Sequence, residues 1–229
     1  MRKFIIILII LLFSFPAWSQ SGDFKKPDYE NMRKYIFDNN SPYFYPTLFD
    51  RYQQGDTSMT LEDFRFLYFG YTFHSAYIPY QESKYQAKML SYLKKGRLST
   101  AELNEFIKIA ELNLKDLPFD IRTLHILVFS YSQKKDSVMS SISKFKKEMV
   151  IKAILSTGNG RTEQTAYHVI DPAHEYDILN ELGLRFAGTS NLTNSLCDYL
   201  IVQPNEQNIR GFYFDISRIL KVKAERQSN

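Results

Sequence analysis

A single cysteine, Cys197, stands among the 229 residues, so no internal disulfide is possible and the apolar core must hold the fold. No cysteine lies near the N-terminus, which excludes lipid attachment there. The one long apolar run, residues 4–13, is too short to span a membrane comfortably, since a span needs about 18–20 apolar residues, and no second such run follows. Gly-x-Ser-x-Gly and His-Glu-x-x-His are both missing, so neither a nucleophile elbow nor a zinc helix is signalled. An excess of either charge is missing too. The formal net charge of +4 falls to +2 once Arg2 and Lys3 are removed, too little to imply nucleic acid or an anionic membrane as partner.

What is present begins with a targeting pattern. Arg2 and Lys3 precede the apolar run, Pro16 breaks it, and Ala17-Trp18-Ser19 supplies small residues for cleavage before Gln20. The expectation is a signal peptide at 1–19, then a loose polar leader at 20–26. The expected product is exported, periplasmic or extracellular, soluble, and not lipid-anchored.

Residues 27–157 read as helices. The pattern predicts helices over 29–38, stopped by Asn39 to Pro42, then one through Leu48, Phe49 and Tyr52, and others over 64–73, 83–94, 103–114, 119–132 and 137–155. Thr60 and Ser99 are hydroxyl N-caps with carboxylates in the following turn; Ser99 and Glu102 have capping-box spacing. Residues 64–73 are aromatic on nearly every side, the mark of a helix buried all round. Gly70, costly there, implies close approach of another backbone. The short links between the last three helices require antiparallel neighbours. Pro118 to Asp136 faintly resembles a tetratricopeptide-type pair.

The pattern changes in residues 158–220, a small α/β subdomain. Strands are expected at 167–170, 184–187, 197–202 and 211–216, with turns at 188–194 and 204–208 and antiparallel pairing. Asp171-Pro172 opens a helix that Gly183 ends. Residues 221–229 are a polar, fraying tail. The fold class is α+β, predominantly α: stacked antiparallel helical hairpins followed by a small antiparallel β-containing subdomain.

Two blocks carry a resemblance. One runs from Leu61-Glu62-Asp63 through Leu67-Tyr68-Phe69-Gly70-Tyr71 to Tyr77-Ile78-Pro79-Tyr80. The other runs from residues 154–160 past His174-Glu175-Tyr176-Asp177 to Phe212-Tyr213-Phe214-Asp215. Together they resemble the exported bacterial proteins of domain-of-unknown-function family 4919. Thr157 and Asn159 depart from its Ser-Gly-Asp-Gly-like turn. The resemblance implies the architecture and carries no activity, cofactor or site residue.

Candidate sites compete with structural readings. Ser156 to Thr162 is glycine-rich, but it follows a helix and lacks the P-loop lysine; Gly158 as a C-cap explains it, with Arg161 and Glu163 at the edge of a shallow pocket. His168 and His174-Glu175-Tyr176-Asp177 form the densest titratable cluster, against the simpler reading that acids favour a first helical turn. His125 and His74 read as hydrogen-bonded residues at the core edge. Eleven of sixteen tyrosines lie between Tyr29 and Tyr92, and tyrosine suits interfaces and sugar stacking, although aromatics at helical spacing usually face a core.

The residues singled out for binding are Tyr71, Tyr77, Tyr80, Arg161, His174, Glu175 and Tyr176. No catalytic residue, cofactor or metal is assigned. The leading expectation is a non-catalytic interaction module of the cell envelope or periplasm, its partner an envelope protein. The alternatives are a small-molecule or glycan binder using tyrosine-rich surface, and a hydrolase around His174 and Glu175.

Overall fold

The computed structural model describes residues 24–228. The expected signal peptide and residues 20–23 of the leader lie outside them. Among the described residues the helices are α1 (Tyr29–Phe37), α2 (Tyr45–Gln54), α3 (Leu61–Gly70), α4 (Gln86–Leu93), α5 (Thr100–Asp116), α6 (Ile121–Gln133), α7 (Ser137–Leu155), α8 (Ala173–Glu181) and α9 (Ser217–Gln227). The strands are β1 (Tyr167–His168), β2 (Phe186–Leu192), β3 (Cys197–Val202) and β4 (Gly211–Asp215). The fold is α+β and predominantly helical.

Local chemistry sets the helix starts. Thr60 and Asp63 form a full capping box on α3, and Ser99 and Glu102 form one on α5. The carboxylates of Asp120 and Asp136 accept from first-turn N–H groups of α6 and α7, satisfying donors that have no intrahelical partner. Helices α5, α6 and α7 pack in succession, and α7 then lies against α3. Every residue of α3 from Asp63 to Gly70 is buried, as its all-round aromatic character requires. Phe64, Leu67 and Phe69 are wholly enclosed, each contributing about 2 kcal/mol of apolar burial. Side chains crowd Gly70, not backbone: an added Cβ would sit 3.2 Å from Ile36 Cγ2 and 3.5 Å from Tyr45 Cδ2.

The sheet order is β1-β4-β3-β2. β2, β3 and β4 are antiparallel, whereas β1 runs parallel to β4, so the sheet is mixed. One apolar cluster runs from Met32 and Ile36 through α3 and α7 to Phe212, Phe214 and Ile219, crossing the expected boundary at 157/158. A smaller cluster of Leu103, Ile107 and Leu127 joins α5 to α6, and Met89 joins α4 to Phe106 and Ile109.

The structure corrects several expectations. Residues 188–194, expected as turns, are mostly β2. As an edge strand exposed on both sides it lacks apolar alternation, and it is irregular around Gly188 at φ 91°. The tail beyond Lys221 continues as α9, anchored by Ile219 and Val222. The helix expected over 64–73 lies three residues earlier, at Leu61–Gly70, and gives way to a 3-10 helix at Tyr71, while the one expected over 83–94 is shorter and begins only at Gln86. Gly158 is not a C-cap, because α7 ends at Leu155; its Cβ would fall 2.1 Å from Thr165 O, so the backbones meet there. The leader's end is not loose: Lys25 N–H donates to Ser156 O at 3.0 Å, and the Lys25 carbonyl accepts from Arg65 Nη2 at 2.5 Å. His125 is exposed on the outward face of α6 rather than at the core edge, whereas His74, though exposed, accepts from Ala76 N–H at 3.2 Å and lays its ring against the buried Tyr45 and Tyr71.

Candidate functional site

Where α3, the α5–α6 link and the start of α8 converge, a hydrogen-bonded framework fixes the geometry. Tyr68 Oη lies 2.7 Å from His174 Nδ1 and accepts from Ile170 N–H at 3.2 Å. His174 Nε2 lies 3.0 Å from the Phe119 carbonyl, which can only accept. The proton is therefore on Nε2, and Nδ1 accepts from the Tyr68 hydroxyl. Tyr77 Oη donates to Ile170 O at 2.8 Å, tying the 71–80 loop to the same strand end. Both ring nitrogens of His174 are thereby committed to holding elements together.

Against this framework lies a cavity of about 30 Å³, the room of roughly one water, lined by Tyr71, Tyr77, Tyr80, Phe119, Asp171 and His174. A larger groove of about 490 Å³ shares Tyr80, Leu117, Asp120, Asp171 and His174, and continues past Met89, Leu90, Leu93 and Ile126, with Glu82 on its wall. Tyr80 stands in both linings with its backbone in the left-handed region, φ 61°. For a residue with a Cβ this costs about 1–2 kcal/mol, and the surrounding packing holds the ring at the groove.

Directly behind His174, Glu175 is 2 % exposed and faces Asp198 of β3. Burial, then the charges of Asp198 and Asp171, push its carboxyl up to about 9. Burial raises Asp198 as well, and Glu175 beside it lowers it, so at neutral pH Glu175 is the one that holds a proton. Glu175 Oε1 has no hydrogen-bond partner. Asp177 is buried as well: Arg122 Nε donates to its Oδ1 at 2.9 Å while Oδ2 is unpartnered, and burial raises its carboxyl. These acids are not solvated first-turn charges, which corrects the simpler reading of their position. Asp171 serves the helix start, its Oδ1 accepting from Ala173 N–H at 2.8 Å.

Tyr71, Tyr77, Tyr80 and His174 thus share one cavity, with Glu175 on the next residue of α8. Tyr176 turns instead to β2, its ring edge-on to Phe186 at 5.2 Å. Arg161 is apart from all of them, its guanidinium 4.9 Å from the Phe212 ring. Asp120, Asp171, Leu90 and Leu93 were missed as lining residues. Asp198 carried a usable signal, a lone acid in the apolar run Cys197 to Val202.

A second row of polar groups crosses the sheet. His168 pairs with Asp215 and Asp215 with Cys197 in the strand register, and His168 Nδ1 lies 3.7 Å from Asp215 Oδ2. Burial and the neighbouring Asp215 push the Cys197 thiol up to about 11, and burial lowers His168, so the row does not supply a thiolate. Among the described residues no three His, Cys, Asp or Glu side chains are placed to hold a metal ion, and no helix is long and apolar enough to cross a membrane.

The geometry defines a predominantly helical α+β protein with an aromatic cavity and an acidic-rimmed groove at the junction of helices and sheet. The chain belongs to the family described as Domain of unknown function (DUF4919), whose model matches residues 30–225. No curated protein and no solved structure matches it.

Proposed function

We propose that the protein is an exported, non-catalytic interaction module that grips an amphipathic segment of an envelope protein in the groove beside Tyr80. One observation carries the reading: Tyr80, Leu90 and Leu93, 46 %, 51 % and 54 % exposed, line one groove beside the carboxylates of Glu82, Asp120 and Asp171, the one cation of that lining, Arg122, being paired with Asp177. Large apolar side chains gathered on one surface mark an interaction site. The acids select a partner bearing Lys or Arg beside its apolar residues. The N-terminal targeting pattern of residues 1–19 supports export.

A hydrolase around His174 and Glu175 has less support, because His174 spends both nitrogens on Tyr68 and Phe119. A base needs a free lone pair within reach of the proton it removes. A tyrosine-built glycan surface is weakened by the burial of Tyr45, Tyr52, Tyr68, Tyr71 and Tyr77.

The test is fluorescence anisotropy with labelled amphipathic peptides carrying Lys or, as control, Glu. The lysine peptide should bind, and Leu90→Asp with Leu93→Asp should weaken it by about tenfold or more, as for residues at the centre of an interface. Equal binding of both peptides, or no loss in the double variant, overturns the reading.

A further inference from the structure

On another face, Arg218 near the start of α9 is 7 % exposed yet forms no ion pair with a carboxylate among the described residues. Its guanidinium stacks 4.1 Å from the Phe73 ring and 5.1 Å from that of Tyr29. Nε donates to Thr72 Oγ1 at 2.9 Å and Nη2 to Thr72 O at 3.3 Å. The Thr72 hydroxyl passes its own proton to Phe69 O at 2.8 Å. Nη1 makes no hydrogen bond, and Arg218 lines a groove on this face. Burying a cation without an ion pair is costly, and the more distant Glu225, the aromatic faces and two neutral acceptors offset only part of that cost.

The groove in front of Arg218 is about 610 Å³ and is also lined by Arg33, Lys221 and Arg226, against the two acids Glu30 and Glu225. Arg226 Nη2 is held by Ser75 O at 2.9 Å, which fixes one wall. Arg33 and Lys221 form no ion pair among the described residues. The volume lies within the range of small-molecule sites, about 300–1,000 Å³. Phe73 and Val222 give it apolar wall.

We infer that this groove is a binding site for a small organic oxyanion, a carboxylate or phosphate ester, whose anionic group rests on Arg218 between Arg33 and Lys221. A planar guanidinium held by stacking and by Thr72 is pre-organised for such a group, and the apolar remainder of the ligand lies against Phe73 and Val222. The site is independent of the groove beside Tyr80.

Isothermal titration calorimetry with phenyl phosphate, benzoate and the neutral control benzamide tests it. Phenyl phosphate or benzoate should bind saturably, more weakly as salt rises, and benzamide should not. The double variant Arg33→Ala/Lys221→Ala, altered only at the surface, should bind the anion about tenfold more weakly, the loss of roughly one charge-assisted contact. Arg218→Met should abolish binding, and its circular dichroism shows whether it has folded; if it has not, the surface variant decides. Absence of saturable binding by both anions, benzamide binding as tightly as benzoate, or an unchanged affinity in the surface variant overturns the inference.

Discussion

The hydroxyl of Tyr68 and Nδ1 of His174 stand 2.7 Å apart although 106 positions separate them in sequence. That bond joins the most deeply buried helix to the first turn of α8, and the same oxygen receives the Ile170 N–H. Tyr68→Phe therefore strands two buried polar groups and should cost about 2 kcal/mol or more, since each unsatisfied group costs about 1–3 kcal/mol. Tyr52→Phe is the comparison, because it removes one bond to the Pro118 carbonyl. Urea unfolding should show the larger loss in Tyr68→Phe; equal losses would mean that the His174 framework contributes nothing beyond an ordinary hydrogen bond.

Glu175 makes stability fall as pH rises. Its carboxyl titrates near 9 in the folded chain and near the ordinary 4.5 when unfolded. Between those values the folded state holds a proton that the unfolded state has released, so the slope of unfolding free energy with pH is negative. The cost is absent below about pH 4, grows above it and levels off beyond about pH 9. Glu175→Gln keeps the shape of the side chain without the ionisation. It should be more stable than the parent by on the order of 2 kcal/mol at pH 8, with the advantage vanishing near pH 4. Denaturant melts at the two pH values read this directly, and a pH-independent difference would remove Glu175 as the source.

Much of the helical half was legible because its signals are local. Thr60 with Asp63 and Ser99 with Glu102 announce helix starts, and the aromatic run of α3 announces burial. The sheet was less legible where pairing is long-range. Nothing within Tyr167-His168 shows that its partner is Phe214-Asp215 or that the two run parallel. β2 carries no periodic pattern because neither of its faces is covered. Tyr71, Tyr77, Tyr80 and His174 could be named from residue type, but their convergence depends on α8 docking against α3. The missing ion pair of Arg218 shows only in space.

Gly158 and Gly183 look alike in sequence and differ in surroundings. A Cβ at Gly158 would fall 2.1 Å from Thr165 O and 2.6 Å from Ala166 O, whereas at Gly183, φ 73°, it would meet nothing within 4 Å. Gly183→Ala should cost about 1 kcal/mol through its left-handed backbone. Gly158→Ala should cost more, about 3 kcal/mol, because backbone must move. Thermal melts that rank the two in the opposite order would contradict the close approach.

Leu90 and Leu93 should be dispensable to the fold. Both are more than half exposed, so Leu90→Asp and Leu93→Asp should each change stability by no more than about 0.5 kcal/mol while removing peptide binding. A large drop in melting temperature would show that these side chains serve packing instead.

The groove's role is tested most directly by amide chemical-shift mapping of isotope-labelled protein, residues 20–229, titrated with a lysine-bearing amphipathic peptide. Saturable shifts should cluster at Tyr80, Gln81, Leu90, Leu93 and Ile126, and a glutamate-bearing peptide should leave them unmoved. Shifts gathered elsewhere on the surface, or an identical response to both peptides, would contradict the account.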